Sequence, residues 1–351
     1  MKKNAIFWFK TSIPLIVCTL VFLNSCSNHK ETVSIGVIPE FKVILNNNPP
    51  FQGDSIHGRQ VKNVPLVLIT GKNVGDKSQL ELKIFNNENQ VIFQSHLNPE
   101  TQDSTFSHEL VLQDPLINPQ TASIEYDGEI YSFPIRLKKI FGKVIDNNGN
   151  PLEVYFLVNW DCDAYLRAKS EKDGTYCLWL PEEKVIHVFI DNATYGKSTL
   201  ECFFGHEFVL QEDINIDINI DKMELYNMRS WASFTSFYVY FIPMSLTRAN
   251  NQDFNNTKDE WPLLTNNRIK LYVNDKEISN KNLSVIKDIL DFKTKASRPA
   301  YILTFDINEI LDAYKASKSV VIKVTAQDSL VLNKRLFQDQ GQAFLINPFY
   351  D

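Results

Sequence analysis

Short runs of alternating apolar and polar residues recur along most of this chain, separated by Gly, Asn and Asp residues. In the first part of the chain these runs occupy residues 64–70, 79–85, 91–95 and 131–137. Side chains of a strand alternate between its two faces, and short strands spaced by turns are typical of an antiparallel sandwich. The pattern predicts a β-sandwich over residues 33–138, immunoglobulin-like in architecture only.

The same pattern returns in the last third of the chain. Its apolar runs lie at residues 237–243, 268–273, 300–305 and 319–325. A predicted helix interrupts these runs. Asp306 and Glu309 have the spacing of a capping box, which indicates the start of a helix. The apolar residues that follow share one helical face, at Ile307, Ile310, Leu311 and Tyr314. We predict a β-sandwich over 223–351 with one short helix near 307–316.

Two turn motifs mark the middle of the chain. The first reads Gly142-Lys-Val-Ile-Asp-Asn-Asn-Gly-Asn-Pro-Leu, and the second reads Asp173-Gly174-Thr-Tyr-Cys-Leu-Trp-Leu-Pro. The Asp-Gly pair predicts a tight hairpin, since Gly adopts the positive φ that such a turn requires. Together the motifs resemble the carboxypeptidase regulatory-like (transthyretin-like) domain over about 80 residues. The resemblance implies a β-sandwich at 139–222 that does no chemistry and serves as a structural or adhesive module. The expected fold class is therefore all-β, with three tandem antiparallel β-sandwich domains.

The first residues have the order of a secretory signal. Lys2 and Lys3 precede an apolar core at 13–23, and the small Ser25 precedes Cys26. This core is too short to cross a bilayer of ~30 Å comfortably as a helix.

The segment Leu23-Asn24-Ser25-Cys26 resembles the lipobox of bacterial lipoproteins. The resemblance implies a signal peptide at 1–25, a lipid on the sulfur of Cys26 and a tether at 26–32. Several acyl chains anchor stably, because each buried methylene contributes ~0.8 kcal/mol. In that family an Asp after the cysteine often retains the protein at the inner membrane, so Ser27 implies the outer membrane, on its periplasmic or cell-surface face. An ordinary secretory signal with an unmodified cysteine is the alternative.

The net charge of the protein limits the classes of partner that it can bind. The chain has 36 Lys and Arg against 42 Asp and Glu, and three Lys lie in the signal, so cleavage leaves a net charge of −9 with His neutral. An acidic protein lacks the basic surface of nucleic-acid binders, so we expect no nucleic-acid partner. Cys162, Cys177 and Cys202 would remain in an oxidising compartment, either as one disulfide and one thiol or as three buried thiols.

Several motifs resemble ligand sites without completing them. Residues 213–224 place oxygen-bearing side chains at the ligand positions of a calcium loop, but Ile218 stands where that loop needs Gly. The alternation fits a strand that buries its Ile residues and exposes its carboxylates. Gly196-Lys197-Ser198 lacks the first glycine of a phosphate-binding loop, and the histidines lack zinc-site spacing. We expect no metal, no cofactor and no enzymatic activity, with a hydrolase of dispersed site as an open alternative.

Aromatic residues make up 12% of the chain. Trp261, Trp160 and Trp231 lie near polar residues, where an aromatic ring can stack on a sugar or anchor a protein interface; packing in the core is the other explanation. The sequence thus predicts a membrane-anchored envelope lipoprotein that acts as a non-catalytic binding or assembly scaffold. A carbohydrate-binding component of an envelope glycan-uptake system is the alternative, and the partner is an envelope protein or a glycan.

Overall fold

The computed structural model describes most of the chain after residue 37. The described residues are 38–349 with gaps at 57–58, 76–78, 99–103, 159–165, 183–184, 186–187, 206, 251–260, 292, 294–295 and 333. Cys26, Trp160 and Cys162 lie outside them. Within these residues nearly all regular structure is β-strand, in mostly antiparallel sheets. The predicted all-β class is confirmed.

The first strands of the chain enclose a core between two sheets. These strands are β1 (Glu40–Asn46), β2 (Phe51–Ile56), β3 (Arg59–Asn63), β4 (Leu66–Lys72), β5 (Leu80–Asn86), β6 (Val91–Leu97), β7 (Thr105–Val111), β8 (Pro119–Tyr126) and β9 (Glu129–Pro134). One sheet has the order β1-β4-β7 and the other the order β6-β5-β8-β9. Alternation puts Val67 and Ile69 of one sheet against Leu82, Ile84 and Ile124 of the other, all fully buried. The alternating apolar residues therefore form the core of a β-sandwich, as the sequence pattern predicts.

A second core lies between two further sets of strands. These are β10 (Leu137–Ile145), β11 (Tyr155–Val158), β12 (Arg167–Lys169), β13 (Thr175–Pro181), β14 (Val188–Asp191), β15 (Cys202–Gly205), β16 (Ile214–Asn215) and β17 (Ile218–Asn219). Strand β10 pairs with β13 on one side and with β16 and β17 on the other. Strands β12-β11-β14-β15 form the opposing layer.

The third part contributes another core. Its elements are β18 (Met223–Ala232), β19 (Ser236–Ser245), α1 (Leu246–Ala249), a 3-10 turn (Asn266–Arg268), β20 (Ile269–Val273), β21 (Lys276–Glu277), β22 (Lys281–Asp291), β23 (Ala296–Asp306), α2 (Asn308–Ala316), β24 (Val321–Leu332) and β25 (Arg335–Ile346). One layer has the order β18-β19-β23-β22, and the other is built from β25-β24-β20-β21.

The last strand, β25, belongs to both the second and the third core. It pairs in parallel with β15 and antiparallel with β24, which joins their layers into one sheet of eight described strands. Alternate side chains of β25 point to opposite faces, so Phe344 and Ile346 enter the second core while Ala343 and Leu345 enter the third. The sheet therefore crosses the boundary predicted at residues 222 and 223, and residues 39–351 form one compact unit.

The segment with alternating Ile and acidic residues lies along β10. Its four Ile side chains are buried, at Ile214, Ile216, Ile218 and Ile220. The carboxylates of Asp213 and Asp217 accept hydrogen bonds from the backbone N–H groups of Lys139 and Lys143, at 3.1 and 3.0 Å. These acids therefore satisfy backbone donors of β10, as a strand prediction allows. Between β16 and β17 the Ile216 carbonyl accepts a hydrogen bond from the Tyr176 hydroxyl at 2.7 Å.

The predicted hairpin turn is present. Gly174 has φ of +80°, and its N–H donates to the Glu171 carbonyl at 2.9 Å. A Cβ atom at this position would lie 2.5 Å from the Val144 carbonyl oxygen. Only glycine therefore fits both the backbone angle and the space.

Helix α2 lies where the sequence predicts a helix. The predicted capping box is wrong, because Ile307 is the N-cap residue and no side chain caps the helix. Asp306 accepts from the Asn308 N–H at 2.9 Å from one position before the cap. Glu309 pairs with Lys276 at 2.7 Å instead of reaching back to the cap. Of the predicted apolar face, Ile310 is fully buried and Leu311 is 41% exposed.

Two further features concern the whole described region. Cys177 and Cys202 do not form a disulfide with each other. No helix in the described part of the chain has the length and apolar character that a membrane crossing requires.

Candidate functional site

The four-stranded sheet β18-β19-β23-β22 buries one face and leaves aromatic side chains on the other. Its inner face carries Phe237, Val239 and Leu303, all fully buried in the third core. Alternation then places their neighbours outward. We call this outer surface the aromatic face, defined by Tyr226, Arg229, Trp231, Tyr238, Tyr240, Asp288 and Arg298 together with the adjacent Trp261.

Trp231 and Tyr238 form the exposed end of this face. They are direct cross-strand partners, and their rings stack with centroids 5.2 Å apart and planes 4° from parallel. Trp231 is 45% exposed. Phe234, in the turn between the two strands, is fully exposed. The stack covers one face of each ring, and about half of the Trp231 side chain stays open to solvent.

A β-bulge decides which residues of β18 join the face. The pairing shifts between Tyr226, opposite Ile242, and Arg229, opposite Tyr240. Asn227 has φ of +54°, a conformation that Asn tolerates better than most residues. The extra residue moves Arg229 and Trp231 onto the same side as Tyr226. Without the bulge, Met228 and Ser230 would lie there instead.

The other end of the face is a cluster around Arg298. Its guanidinium lies over the rings of Tyr226 and Trp261, with distances of 4.6 and 5.6 Å to the centroids. Its Nε donates to Asp288 at 2.8 Å. Burial lowers the pKa of Arg298, but the group stays charged at neutral pH because its ordinary pKa lies above 12. Trp261, predicted from sequence as a binding residue, thus packs against an arginine that is already neutralised.

Tyr240 lies between the two ends of the face. Burial raises the pKa of its hydroxyl, with a further contribution from the carboxylate of Asp288, while Arg229 acts in the opposite direction. The phenol therefore stays protonated at neutral pH and can donate as well as accept a hydrogen bond. Thr304 and Asn282 continue the row of Trp231 and Tyr238 across the sheet, so polar groups border the aromatic surface.

The sequence predicts only part of this arrangement. It singles out Trp231 and Trp261, and the structure brings both to the same sheet. It misses Arg298 and Asp288, whose positions depend on pairing between β22 and β23. Trp160 lies outside the described residues and stays a prediction.

Three acidic side chains, Asp191, Glu201 and Glu224, lie close together and largely inside the molecule, and we call them the interior acid cluster. Asp191 ends β14, Glu201 precedes β15, and Glu224 is the second residue of β18. Burial raises the pKa of Glu224 to about 7. Burial, together with the nearby Glu224 and Asp191, raises the pKa of Glu201 to about 9. Asp191 and Glu224 are only 2% and 4% exposed, so these acids cannot meet a substrate.

Metal ligation finds no support in the described region. No group of three or more His, Cys, Asp or Glu side chains there is arranged to hold an ion. One cleft, of 670 Å³, is lined by residues such as Leu116, Trp179, Arg136 and Glu182. Arg136 and Glu182, which line this cleft, form an ion pair with each other at 3.2 Å.

Comparison with known protein families gives no matching family model. A search of curated proteins also gives no match.

Several solved structures share local similarity with this chain. A candidate carbohydrate-binding protein from Bacteroides uniformis is 11% identical, with 60% of this chain and 97% of that chain covered and a TM-score of 0.19. A DUF3823 family protein from Parabacteroides merdae is 12% identical, with coverages of 55% and 91% and a TM-score of 0.19. A DUF3823 family protein from Bacteroides ovatus is 11% identical, with coverages of 59% and 98% and a TM-score of 0.20. The fold assignment therefore rests on the strand order and registers of this chain.

Proposed function

We propose that this protein is a non-catalytic binding component of a bacterial cell envelope. In this proposal an acylated Cys26 holds it at the outer membrane, and the aromatic face binds a glycan. The lipobox at the N-terminus supports the anchor. The resemblance of residues 139–222 to carboxypeptidase regulatory-like domains supports a module without chemistry of its own.

The observation that carries the proposal is the exposed Trp231–Tyr238 pair on a rigid sheet. Stacking covers one face of each ring, and the part of Trp231 that stays exposed is an apolar surface on which the apolar face of a pyranose ring can pack. The hydroxyl and amide groups of Tyr240, Thr304 and Asn282 lie in the same and the next row. Sites for small polar ligands combine an apolar surface with a few placed hydrogen-bonding groups in this way.

A protein partner is the second candidate. Phe234 stands fully exposed at the tip of the β18–β19 hairpin, beside Trp231. Exposed aromatic side chains that lie together are frequent anchors of protein interfaces. A scaffold of this kind would contact its partner with the hairpin tip instead of the sheet surface.

The acids with raised pKa values do not favour the third candidate, a hydrolase. Glu201 and Glu224 belong to the interior acid cluster. Catalytic acids need contact with substrate, and Glu224 is closed to solvent. We therefore propose a protein without enzymatic activity.

Retention on immobilised glycans separates the two binding candidates. The probe protein is the mature chain with Cys26→Ser, run through gels that contain neutral or acidic polysaccharides. We expect Trp231→Ala to abolish the retention and to leave the melting temperature nearly unchanged, because this side chain is half exposed. Tyr272→Ala, a half-buried aromatic on the other sheet, should bind like the wild type.

A different outcome would favour binding of a protein partner over binding of a glycan. If no polysaccharide retards the wild type, and crosslinking in the native envelope captures one stoichiometric protein only when Phe234 is intact, the glycan proposal is wrong. If Trp231→Ala binds glycan as well as the wild type does, the aromatic face is not the site.

A further inference from the structure

The aromatic face carries two arginines, and the structure uses them differently. Arg298 donates to Asp288 at 2.8 Å and lies between two rings, and 16% of its side chain is exposed. Its charge is therefore matched by a carboxylate, and its flat surfaces are largely covered. Its role is to hold the rings of Tyr226 and Trp261 in place.

Arg229 has a different environment. It is exposed, and its Nε donates to the side-chain oxygen of Asn227 at 3.0 Å. Among the described residues no carboxylate lies within ion-pair distance of it. A guanidinium has five N–H donors in a planar fork, so four donors on its Nη atoms remain available to a ligand.

The position of Arg229 relates it directly to the stacked pair. It precedes Trp231 by two residues on β18 and faces the same side. Two residues along a strand correspond to about 6.6–6.8 Å. It also stands opposite Tyr240, whose neutral hydroxyl adds a donor beside the cation. A ring stacked on Trp231 would therefore have a guanidinium within one sugar unit.

We propose that the aromatic face selects an acidic glycan, one whose sugars carry a carboxylate. This inference rests on the proposed glycan-binding function. One sugar ring stacks on the Trp231–Tyr238 pair, and a uronate carboxylate of that ring or its neighbour pairs with Arg229. Guanidinium and carboxylate match in a two-bond geometry that a neutral sugar cannot provide.

Because the protein as a whole is acidic, attraction of an acidic glycan depends on the local charge of Arg229. The net charge after signal cleavage is −9, so a polyanion is not attracted to the protein in general. Attraction arises at Arg229 and should weaken as salt is added, since exposed charges are screened beyond about 10 Å at 0.1 M. Arg298 contributes little, because Asp288 already neutralises it.

The test compares acidic polymers with their own neutralised forms. Polygalacturonate, alginate and hyaluronan are each used as such and after methyl esterification of the carboxylates, with the mature Cys26→Ser chain. We expect wild-type protein to bind at least one acid form about tenfold or more tightly than its ester. Loss of a hydrogen bond to a charged group weakens binding by about 10- to 100-fold, so Arg229→Gln should weaken binding of the acid form by that factor.

Matched variants distinguish this inference from the function on which it rests. Arg229→Gln should bind the esters as the wild type does, whereas Trp231→Ala should lose both forms. Lys270→Gln, an exposed cation on β20 of the other sheet, should change neither. If the wild type binds acid and ester equally, or Arg229→Gln binds the acid form normally, acid selection is wrong while glycan binding stands. If no polymer binds, and anionic lipid vesicles are bound through Trp231 and Phe234, both proposals fail.

Discussion

Raising the pH from 5.5 to 8.5 should destabilise this protein through the interior acid cluster. Glu224 is buried, and Glu201 lies near it with a partly exposed side chain. Burial comes first among the causes that raise their pKa values, to about 7 for Glu224 and about 9 for Glu201. Ordinary glutamate titrates near 4.5, so folding binds a proton at Glu224 up to about pH 7 and at Glu201 over the whole range.

The sign and size follow from proton linkage. A carboxyl whose folded pKa is raised contributes stability that is complete below its unfolded pKa and is lost as the pH rises through the folded pKa. Each proton held only by the folded state lowers the free energy of unfolding by ~1.4 kcal/mol per pH unit. From pH 5.5 to 8.5 the loss is about 2 kcal/mol if Glu224 alone keeps its proton, and about 6 kcal/mol if Glu201 does so too.

Urea unfolding at pH 5.5, 7.0 and 8.5 measures this loss. The double variant Glu201→Gln/Glu224→Gln should flatten most of the dependence, because neither amide titrates. Asp221, whose pKa is also raised by burial, leaves a smaller slope of the same sign. The exposed Glu277→Gln should keep the full slope. A wild type as stable at pH 8.5 as at pH 5.5, or an unchanged slope in the double variant, would refute the reasoning.

Three further predictions concern the cores, the turns and the anchor. Phe344→Ala should cost about 3–5 kcal/mol in urea unfolding, whereas Leu336→Ala, 63% exposed on the same strand, should cost less than about 0.5 kcal/mol. Gly174→Ala should destabilise more than Gly149→Ala: both glycines have φ near +80°, but only the first would meet a carbonyl oxygen at 2.5 Å. Cys26→Ser should abolish incorporation of labelled fatty acid; incorporation equal to the wild type would contradict the lipobox.

Local patterns in the sequence predict local structure in this chain well. The alternation at 213–221 predicts the buried face correctly, because four Ile residues at every second position lie on the same face of a strand and are buried together. The Asp-Gly turn and helix α2 are likewise set by their own residues. Glu309 shows the limit, since a lysine more than thirty positions away competes for its carboxylate.

Long-range pairing could not be predicted in the same way. Strand β25 lies in parallel beside β15, about 140 residues earlier in the chain, and no local pattern encodes that register. The aromatic face depends in addition on the bulge at Asn227, which reverses the side on which Arg229 and Trp231 emerge. The only sequence signal for the bulge is an Asn within a strand, which is too common to be read with certainty.

The placement of Trp231 in a sheet matters for what it can bind. A tryptophan in a loop loses side-chain and backbone freedom when a ligand orders it, which costs ~0.5–1.5 kcal/mol for a flexible side chain alone. Trp231 lies within a ten-residue strand, and its ring is already held against Tyr238. Little freedom is left for a ligand to remove, so most of the contact energy is available for binding. A single stacked pair with one nearby cation can then give measurable affinity on an otherwise acidic surface.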